Sequence, residues 1–347
     1  MRYTEIKNTG ISIPSIIFGT SALGNLYNSI DRKTKQDIVK ECLHSLDGPV
    51  VFDTAGKYGA GLALEVLGRA LAEMDVDTDK VIISNKLGWL RTELLSDEPT
   101  FERGVWKDLK FDAQQDISAE GIIRCWEQGS ELLGKKYYPR LLSVHDPDEY
   151  LAKAGSDQGL EKKLFDDILE AYSALFEIRR KDTSIALGVG AKDWKVIRKI
   201  TDNINLDWVM FANSLTIYTH PSELVNFMSE LQKRQITIIN SAVFNAGFLI
   251  GGSYFNYRLP DLENPEDRKI FTWRESFLEI CDQHSISPSH ACIRFGMSHP
   301  AVSSIALNTS NPDHVKRNVE EVENDISPEF YSMLKDKGLI SKDYPYV

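Results

Sequence analysis

Short apolar runs alternate with amphipathic stretches along most of the chain, and this alternation constrains the fold more than any other feature. Eight runs have the composition of buried strands, at residues 15–19, 50–53, 81–86, 140–145, 185–189, 208–211, 237–241 and 302–307. Helical patterns lie between them, at 34–45, 61–73, 119–133, 164–180, 194–201, 222–233, 266–284, 288–298 and 312–320. Strands that alternate with helices form parallel β/α units. Eight such units predict an α/β fold, a (β/α)8 TIM barrel.

The length of 347 residues would allow two domains, but α/β barrels often use this many residues in one. We therefore expect a single barrel domain over residues 1–347. A turn at Asn8, Thr9 and Gly10 predicts an N-terminal β-hairpin before the first barrel strand. A doubly wound sheet is the competing architecture, but no G-x-G-x-x-G follows any strand.

The overall charge and the cysteines exclude several classes of protein. A net charge of −11 argues against a nucleic-acid partner, since such proteins concentrate Lys and Arg. No apolar run approaches a membrane span and the N-terminus has no signal pattern, so we expect no membrane partner and a cytoplasmic location. The four cysteines are scattered, which predicts free buried thiols without disulfides or zinc. Nothing in the sequence indicates an oligomeric state.

Two connections are long for a compact domain. One spans residues 89–117 and carries Trp106; the other spans 248–265 and carries Tyr254, Phe255 and Tyr257. Loops of this length often serve as lids over a site, and aromatic faces suit a sugar or a nicotinamide ring. The alternative is that these aromatic side chains cover a neighbouring helix.

Polar residues stand at three consecutive strand ends. Asp53 ends the second strand, Lys86 the third and His145 the fourth, while Tyr58 lies in the turn after Asp53. In a β/α barrel all four face the same mouth. Each one alone is more often a cap or a solvated group than a functional residue. Together they form a chemically coherent acid/base set.

A tyrosine hydroxyl has a pKa of about 10 and releases its proton poorly at neutral pH. A nearby cation lowers that pKa, so we expect Lys86 to activate Tyr58 and Asp53 to hold the lysine. His145 is expected to orient a carbonyl or hydroxyl group, or to join the proton relay. The set predicts reversible proton transfer to a carbonyl oxygen, which requires a separate hydride donor.

A metal site at the end of the fourth strand is the alternative interpretation. His145, Asp146 and Asp148 are ligand types that suit a divalent ion. Pro147 and the single histidine favour a capped strand-to-loop turn instead, and we expect no metal. The two aspartates are also candidates to bind sugar hydroxyl groups.

The motif around Asp53 and Tyr58 resembles that of the aldo-keto reductase superfamily. Its pattern F-D-T-A-x-x-Y-G-x-G is matched at residues 52–61, with further matches at 67–71, 84–88 and 144–145. Similarity runs over nearly the whole chain, from residues 13–24 to the region of Asn318. The resemblance implies Tyr58 as general acid in reduction and base in oxidation, tuned by Lys86 and Asp53. It also implies that NAD or NADP carries the hydride.

Within the superfamily, the segments 145–148, 240–252, 256–258 and 279–302 resemble the aldose 1-dehydrogenase branch, which includes L-fucose dehydrogenases. This implies oxidation of the anomeric carbon of a free sugar, such as L-fucose or a D-threo-aldose, to the lactone. Two alternatives stay open: an aldehyde- or pyridoxal-type oxidoreductase of the same fold, and a cofactor-binding regulatory subunit. The expected substrate contacts are Trp89, His145, Asp146 and Tyr257.

The resemblance also implies where the cofactor binds. The expected contacts are Gly19, Thr20, Asp53, Asn213, Ser241, Asn308, Thr309, His314 and Asn318. NADP-dependent relatives show K-S-x-x-P-x-R-x-x-x-N near the end of the chain, where this sequence has Asn308 and His314 in place of the two cations. Arg and Lys bind phosphate more strongly than Asn or neutral His. NAD is therefore favoured over NADP, although Lys316 or Arg317 offers positive charge nearby.

Three departures from the family pattern concern the nicotinamide side of the pocket. Gly190 and Ala191 replace the usual Ser-Asn that binds the carboxamide. Ala63 and Leu64 replace the Ser-Glu that opens the second helix. The stacking aromatic after the sixth strand is replaced by Leu215, so that Asn213 or Tyr218 becomes the candidate to substitute for it.

Overall fold

The structure is a computed structural model that describes residues 1–347. Its strands, in chain order, are β1 Tyr3–Ile6, β2 Ile11–Pro14, β3 Ile16–Gly19, β4 Val50–Ala55, β5 Val81–Leu87, β6 Trp89–Glu93, β7 Phe111–Gln115, β8 Leu141–His145, β9 Ala186–Ala191, β10 Trp208–Ala212, β11 Thr237–Ser241 and β12 Val302–Asn308. Its helices are α1 Arg32–His44, α2 Leu62–Glu73, α3 Ala119–Leu132, α4 Pro147–Ala152, α5 Gln158–Lys181, α6 Trp194–Thr201, α7 Ser222–Lys233, α8 Pro265–Gln283, α9 Pro288–Gly296, α10 Asp313–Glu323 and α11 Pro328–Asp336.

Eight parallel strands close into a barrel in the order β3, β4, β5, β8, β9, β10, β11 and β12. The last strand pairs with the first, with Asn308 opposite Gly19. All eight strands predicted from apolar runs belong to this barrel, so the (β/α)8 prediction is confirmed. Because the strands are parallel, their carboxyl ends meet at one mouth, where Asp53 and Lys86 lie.

The predicted N-terminal hairpin is also confirmed, as β1 pairs antiparallel with β2. Its side chains Ile6, Ile11 and Ile13 are buried in one cluster with barrel residues that include Val51 and Trp208. The hairpin therefore covers the amino-terminal end of the barrel. Only the carboxyl-terminal mouth is left for a site.

Helix α2 fixes the turn that carries Tyr58. Its residues Leu64, Leu67 and Leu71 are fully buried in the layer between the barrel and the helices. Their spacing of three and four residues places them on one face of the helix. The turn between β4 and α2 is thus held at both ends by buried elements.

The connection 89–117 has more structure than a long loop. Strands β6 and β7 form an antiparallel hairpin, with Trp89 opposite Gln115, over a separate small apolar cluster. Its many charged residues hide the alternating pattern that identifies a strand. The short helix α4 was also not predicted, because six residues carry too little periodicity, and α11 was missed as well.

None of the helices combines the length and the apolar character needed to cross a bilayer. All four cysteines are buried free thiols.

The packing of the N-terminal hairpin gives the first prediction. Ile13→Ala removes a fully buried side chain from the end of the barrel, and such truncations cost about 2–5 kcal/mol. We expect the free energy of unfolding, measured by urea denaturation, to fall by that amount. Ile123→Ala on the exposed side of α3 is the matched control and should change it by less than about 0.5 kcal/mol. Equal losses in both variants would contradict the packing role of the hairpin.

Candidate active site

A cavity of about 390 Å³ opens at the carboxyl ends of the barrel strands. One part of its wall is formed by Asp53, Tyr58, Lys86 and His145. Another part is formed by the end of β12 and the start of α10. The volume is in the range of ordinary ligand sites. The four residues predicted to share a mouth therefore line one cavity.

The buried ion pair between Asp53 and Lys86 lies at the base of this cavity. Asp53 and Ser84 are register partners on neighbouring strands β4 and β5. The Lys86 ammonium donates to Asp53 Oδ2, and Ser84 Oγ donates to Oδ1 at 3.0 Å. Both charged side chains are at most 5% exposed. The structure thus pairs these two residues as expected.

The ring of Tyr58 lies between the lysine and the histidine. Lys86 Nζ is 4.6 Å from the centroid of the ring, and the His145 ring meets it edge-on at 5.6 Å between centroids. The backbone after Tyr58 is pressed against Gly24, because a Cβ on Gly59 would lie 2.3 Å from the Gly24 carbonyl oxygen. Gly59 also has a φ of +62°, a backbone angle that residues with a side chain rarely adopt. The turn is therefore fixed in place by its glycines.

The pKa of Tyr58 is shifted in the direction opposite to the expectation. Burial, followed by the charges of Asp53 and Asp146, raises this pKa well above its usual range, and Lys57 opposes the shift. The hydroxyl of Tyr58 is consequently protonated at neutral pH, which suits a general acid.

His145 is neutral at physiological pH. Burial lowers the pKa of its imidazole well below the usual range; Asp146 opposes this, while Lys86, Lys57 and Lys192 reinforce it. Its Nε2 is 3.6 Å from Asp146 Oδ2, and its Nδ1 is buried without a partner. A neutral imidazole donates one hydrogen bond without carrying charge, as an orienting group requires.

Lys57 also lines the cavity, although the sequence did not predict it as a site residue. It is 3% exposed, and its Nζ contacts Asp146 at 2.7 Å, Glu102 at 2.8 Å and Glu149 at 2.9 Å. Burial would lower the pKa of Lys57, but these carboxylates raise it well above its usual range. Lys57 occupies a variable position of the motif, so its position directly before Tyr58 is the one sequence feature that could have indicated a role in the site.

The expected substrate contacts separate into two groups. His145, Asp146 and Tyr257 line the cavity, together with Trp106 and Tyr27, which were not predicted as contacts. Trp89 is not among the lining residues; its ring lies against Lys57, with Nζ 4.9 Å from the centroid.

Asp148 does not line the cavity either. Its Oδ2 accepts from the backbone N–H groups of Lys192 and Asp193 at 3.0 and 2.9 Å. The carboxylate therefore fixes the loop after β9. This use is a correction to its suggested role as a sugar or metal ligand.

Most of the expected cofactor contacts line the cavity. These are Gly19, Asp53, Ser241, Asn308, Thr309, His314 and Asn318. Thr20 is not among the lining residues, because its hydroxyl donates to the Asp53 carbonyl at 3.0 Å. Asn213 is also absent from the lining, although it is buried with its Oδ1 unpartnered. Tyr218 packs on Trp273 instead, and Leu215 is fully buried.

The part of the cavity near α10 is its basic side. Arg317 lines it and has no ion pair, whereas Lys316 points outward, 84% exposed and 3.8 Å from Glu320. Burial and then the charge of Arg317 lower the pKa of His314, so this side chain is neutral. A free guanidinium beside a helix N-terminus suits the anionic part of a dinucleotide. The residues on this side of the cavity thus fit the anionic end of a nicotinamide cofactor.

Comparison with known proteins agrees with the motif. The model of the Aldo/keto reductase family matches residues 15–338. The chain is 27% identical to the pyridoxal 4-dehydrogenase of Microbacterium luteolum, over 97% of each chain, and 19% identical to the L-galactose dehydrogenase of Arabidopsis thaliana, over 91% of this chain and 86% of that one.

A solved structure shows the same fold. The holo form of an aldo-keto reductase from Bacillus halodurans is similar with a TM-score of 0.69 at 19% identity, and covers 98% of this chain and 96% of its own. At this identity the likeness bears on the fold alone.

The charges around Tyr58 give the second prediction. In the intact protein we expect Tyr58 to ionise well above pH 10, because burial and two carboxylates oppose the phenolate. Asp53→Asn removes one of these charges and leaves Lys86 unpaired under the ring, so the pKa should fall by about one unit or more. The difference in phenolate absorbance between each protein and its Tyr58→Phe counterpart measures this value. An unchanged or higher pKa in Asp53→Asn would refute this charge balance.

Proposed function

Because this chain belongs to the aldo/keto reductase family, we propose that it is a nicotinamide-dependent aldose 1-dehydrogenase. It would oxidise the anomeric carbon of a free sugar, of the L-fucose or D-threo-aldose type, to the lactone. The observation that carries the proposal is the buried set of Asp53, Tyr58, Lys86 and His145 in one cavity. It supplies both a proton-transfer group and an orienting group for a carbonyl–alcohol pair.

The chain's own residues supply the acid/base half of the reaction. In oxidation, Tyr58 removes the hydroxyl proton; in reduction, its protonated hydroxyl donates to the carbonyl oxygen. Neutral His145 donates a hydrogen bond to the same oxygen and thereby orients it. Lys86 stabilises the phenolate that oxidation forms, while Asp53 and Ser84 keep the lysine in place. The nicotinamide cofactor, when bound, accepts or supplies the hydride.

A pyridoxal-type substrate is the second candidate. It is supported by the 27% identity to a pyridoxal 4-dehydrogenase over nearly the full length of both chains. Pyridoxal carries a hydroxymethyl group next to its aldehyde, so it closes into a cyclic hemiacetal as aldoses do. Oxidation of either hemiacetal gives a lactone by the same proton and hydride transfers. The aromatic rings of Trp106 and Tyr257 in the cavity suit both a sugar and a pyridine face.

The charges at the mouth favour a substrate without a phosphate group. Three lysines, at 57, 86 and 192, stand against four carboxylates, at 53, 102, 146 and 149, which leaves one net negative charge. A further anion 8 Å away would be repelled by about 2 kcal/mol at an effective dielectric constant of 20. Free sugars and pyridoxal therefore fit better than their phosphate esters.

A purely regulatory role is less well supported. A subunit that only senses a cofactor has no need of a proton-transfer group. This chain keeps the complete set, with Tyr58 buried against both Lys86 and His145. Turnover is the use that explains all four residues together.

We further propose that NAD is preferred over NADP. Asn308 and neutral His314 provide no charge for a 2′-phosphate, and Asn308 Oδ1 already accepts from Ala22 N at 3.1 Å. Arg317 is the one guanidinium that lines this part of the cavity. Residual affinity for NADP would therefore depend on it.

The third prediction tests the activity itself. NAD reduction is measured at alkaline pH, where Tyr58 more readily acts as a base, with L-fucose, other free aldoses, pyridoxal and the corresponding phosphate esters. We expect at least one unphosphorylated hemiacetal to be oxidised. For an aldose, kcat/KM should be about 30-fold above that of a phosphate ester that keeps the anomeric hydroxyl free. Tyr58→Phe should lower kcat by about 100-fold or more while cofactor binding is kept. Turnover that survives this substitution would exclude the proposed chemistry.

The fourth prediction concerns Arg317. Wild type should bind NAD more tightly than NADP in a fluorescence titration. A hydrogen bond to a charged group contributes about 1.5–3 kcal/mol, so Arg317→Met should weaken NADP binding by about 10- to 100-fold. NAD binding should weaken less than NADP binding, because NAD lacks the 2′-phosphate, and Lys316→Met is the matched control that changes neither. Tighter binding of NADP than NAD by wild type would overturn the preference.

A further inference from the structure

Lys57 joins segments that are distant in sequence on the substrate side of the cavity. Glu102 belongs to the hairpin connection 89–117, whereas Asp146 and Glu149 belong to the loop and helix after β8. All three carboxylates lie within 3 Å of the Lys57 ammonium. The lysine thus contacts both walls that enclose the substrate side.

Glu102 links Lys57 to Trp106, whose ring lies beside that of Tyr58. Glu102 uses Oε1 for Lys57 and accepts from Trp106 Nε1 with Oε2 at 2.7 Å. The ring of Trp106 lies 6.0 Å from that of Tyr58, centroid to centroid. Residues 100–108, which we call the lid segment, are therefore fastened beside the proton-transfer group through Lys57.

The lid segment also contacts the loop after β3. Tyr27 N donates to Val105 O at 2.8 Å, and Lys107 N donates to Asn25 O at 3.0 Å. These are the hydrogen bonds that would open if the segment moved away. They provide a direct probe of its position.

The backbone at two of the three carboxylates is strained. Glu102 has a φ of 43° and Asp146 a φ of 50°, in the left-handed region that is uncommon for non-glycine residues, although Asp adopts it more readily than Glu. Strained residues of this kind persist where surrounding contacts fix them, and they concentrate at functional sites. Here the contact that both share is Lys57.

We propose that Lys57 is a positioning residue that holds the lid segment and Asp146 together and thereby shapes the substrate side of the cavity. This inference rests on the proposed function for its kinetic consequences. The fastening of the lid segment is a property of the chain itself. It is therefore measurable whether or not a particular sugar is the substrate.

A second consequence concerns His145. The groups that face it are Asp146 in the same loop, Lys86 from β5, Lys57 and Tyr58 from the turn after β4, and Lys192 after β9. Lys57 draws Asp146 Oδ2 into an ion pair while that oxygen lies 3.6 Å from His145 Nε2. Removal of Lys57 leaves the carboxylate free to stabilise the imidazolium. Protonation of His145 would then occur at a higher pH.

The fifth prediction compares Lys57→Met with three other variants. Lys57→Met should speed hydrogen exchange of residues 25–27 and 100–108 by about tenfold or more, and raise KM more than it lowers kcat. It should also move the acidic limb of the kcat/KM profile upward by about one pH unit, measured in the carbonyl-reducing direction, where Tyr58 is already protonated and the limb reports His145. Lys57→Arg should restore most of each property. Glu102→Gln should speed exchange without moving the acidic limb, and Lys199→Met, which removes an exposed partner of Glu161, should change nothing.

The outcomes distinguish this proposal from the proposed function. Wild-type exchange and an unmoved acidic limb in Lys57→Met would overturn the positioning role, as would faster exchange spread evenly over the whole barrel. If Lys57→Met does not fold, Glu102→Gln decides, and unchanged exchange of residues 100–108 in that variant overturns it. If no substrate is turned over but Lys57→Met still speeds hydrogen exchange locally, the aldose 1-dehydrogenase proposal is rejected and the positioning role of Lys57 is retained.

Discussion

The buried ion pair between Asp53 and Lys86 is the interaction on which the rest of the site depends. Taking one such charge out of water alone costs several kcal/mol, so each side chain needs the other. They meet because β4 and β5 are neighbours in a closed parallel barrel, with Asp53 opposite Ser84. The barrel register therefore determines where the Lys86 ammonium lies. The ring of Tyr58 is placed against that ammonium.

Burial then determines the protonation of the two uncharged members of the set. It raises the pKa of Tyr58 and lowers that of His145, so that both side chains are neutral near pH 7. A neutral phenol and a neutral imidazole both donate hydrogen bonds, which suits a carbonyl oxygen in reduction. In the proposed oxidation, Tyr58 must lose its proton. The resting site is therefore prepared as an acid, and an alkaline medium favours its use as a base.

Much of the fold and of the acid/base set was predictable from the sequence. All eight barrel strands are continuous apolar runs, and barrel topology alone brings the ends of β4, β5 and β8 to one mouth. The predicted direction of the pKa shift of Tyr58 was wrong. The prediction took account of the Lys86 charge but not of burial or of the charges of Asp53 and Asp146. Burial and charge effects depend on distances in the folded structure, which the spacing of residues along the sequence does not give.

Lys57 was missed for a related reason. Its partners Glu102, Asp146 and Glu149 are between 45 and 92 residues away in sequence, and Glu102 lies on a hairpin connection whose charges mask its strands. Nothing local distinguishes this lysine from a solvated one. Trp106, which lines the cavity, belongs to the same connection. The residues that shape the substrate side are therefore those that sequence patterns describe least well.

The two lysines of the mouth have different physical roles because their partners differ. Lys86 has one carboxylate partner and lies against the ring of Tyr58, so its charge can stabilise a phenolate there. Lys57 contacts three carboxylates, whose combined charge exceeds its own, so this side of the cavity has a net negative charge. The opposite side, around Arg317, is positive. This polarity across one cavity supports the proposal that a dinucleotide binds with its phosphates toward α10 and that the substrate carries no anionic group.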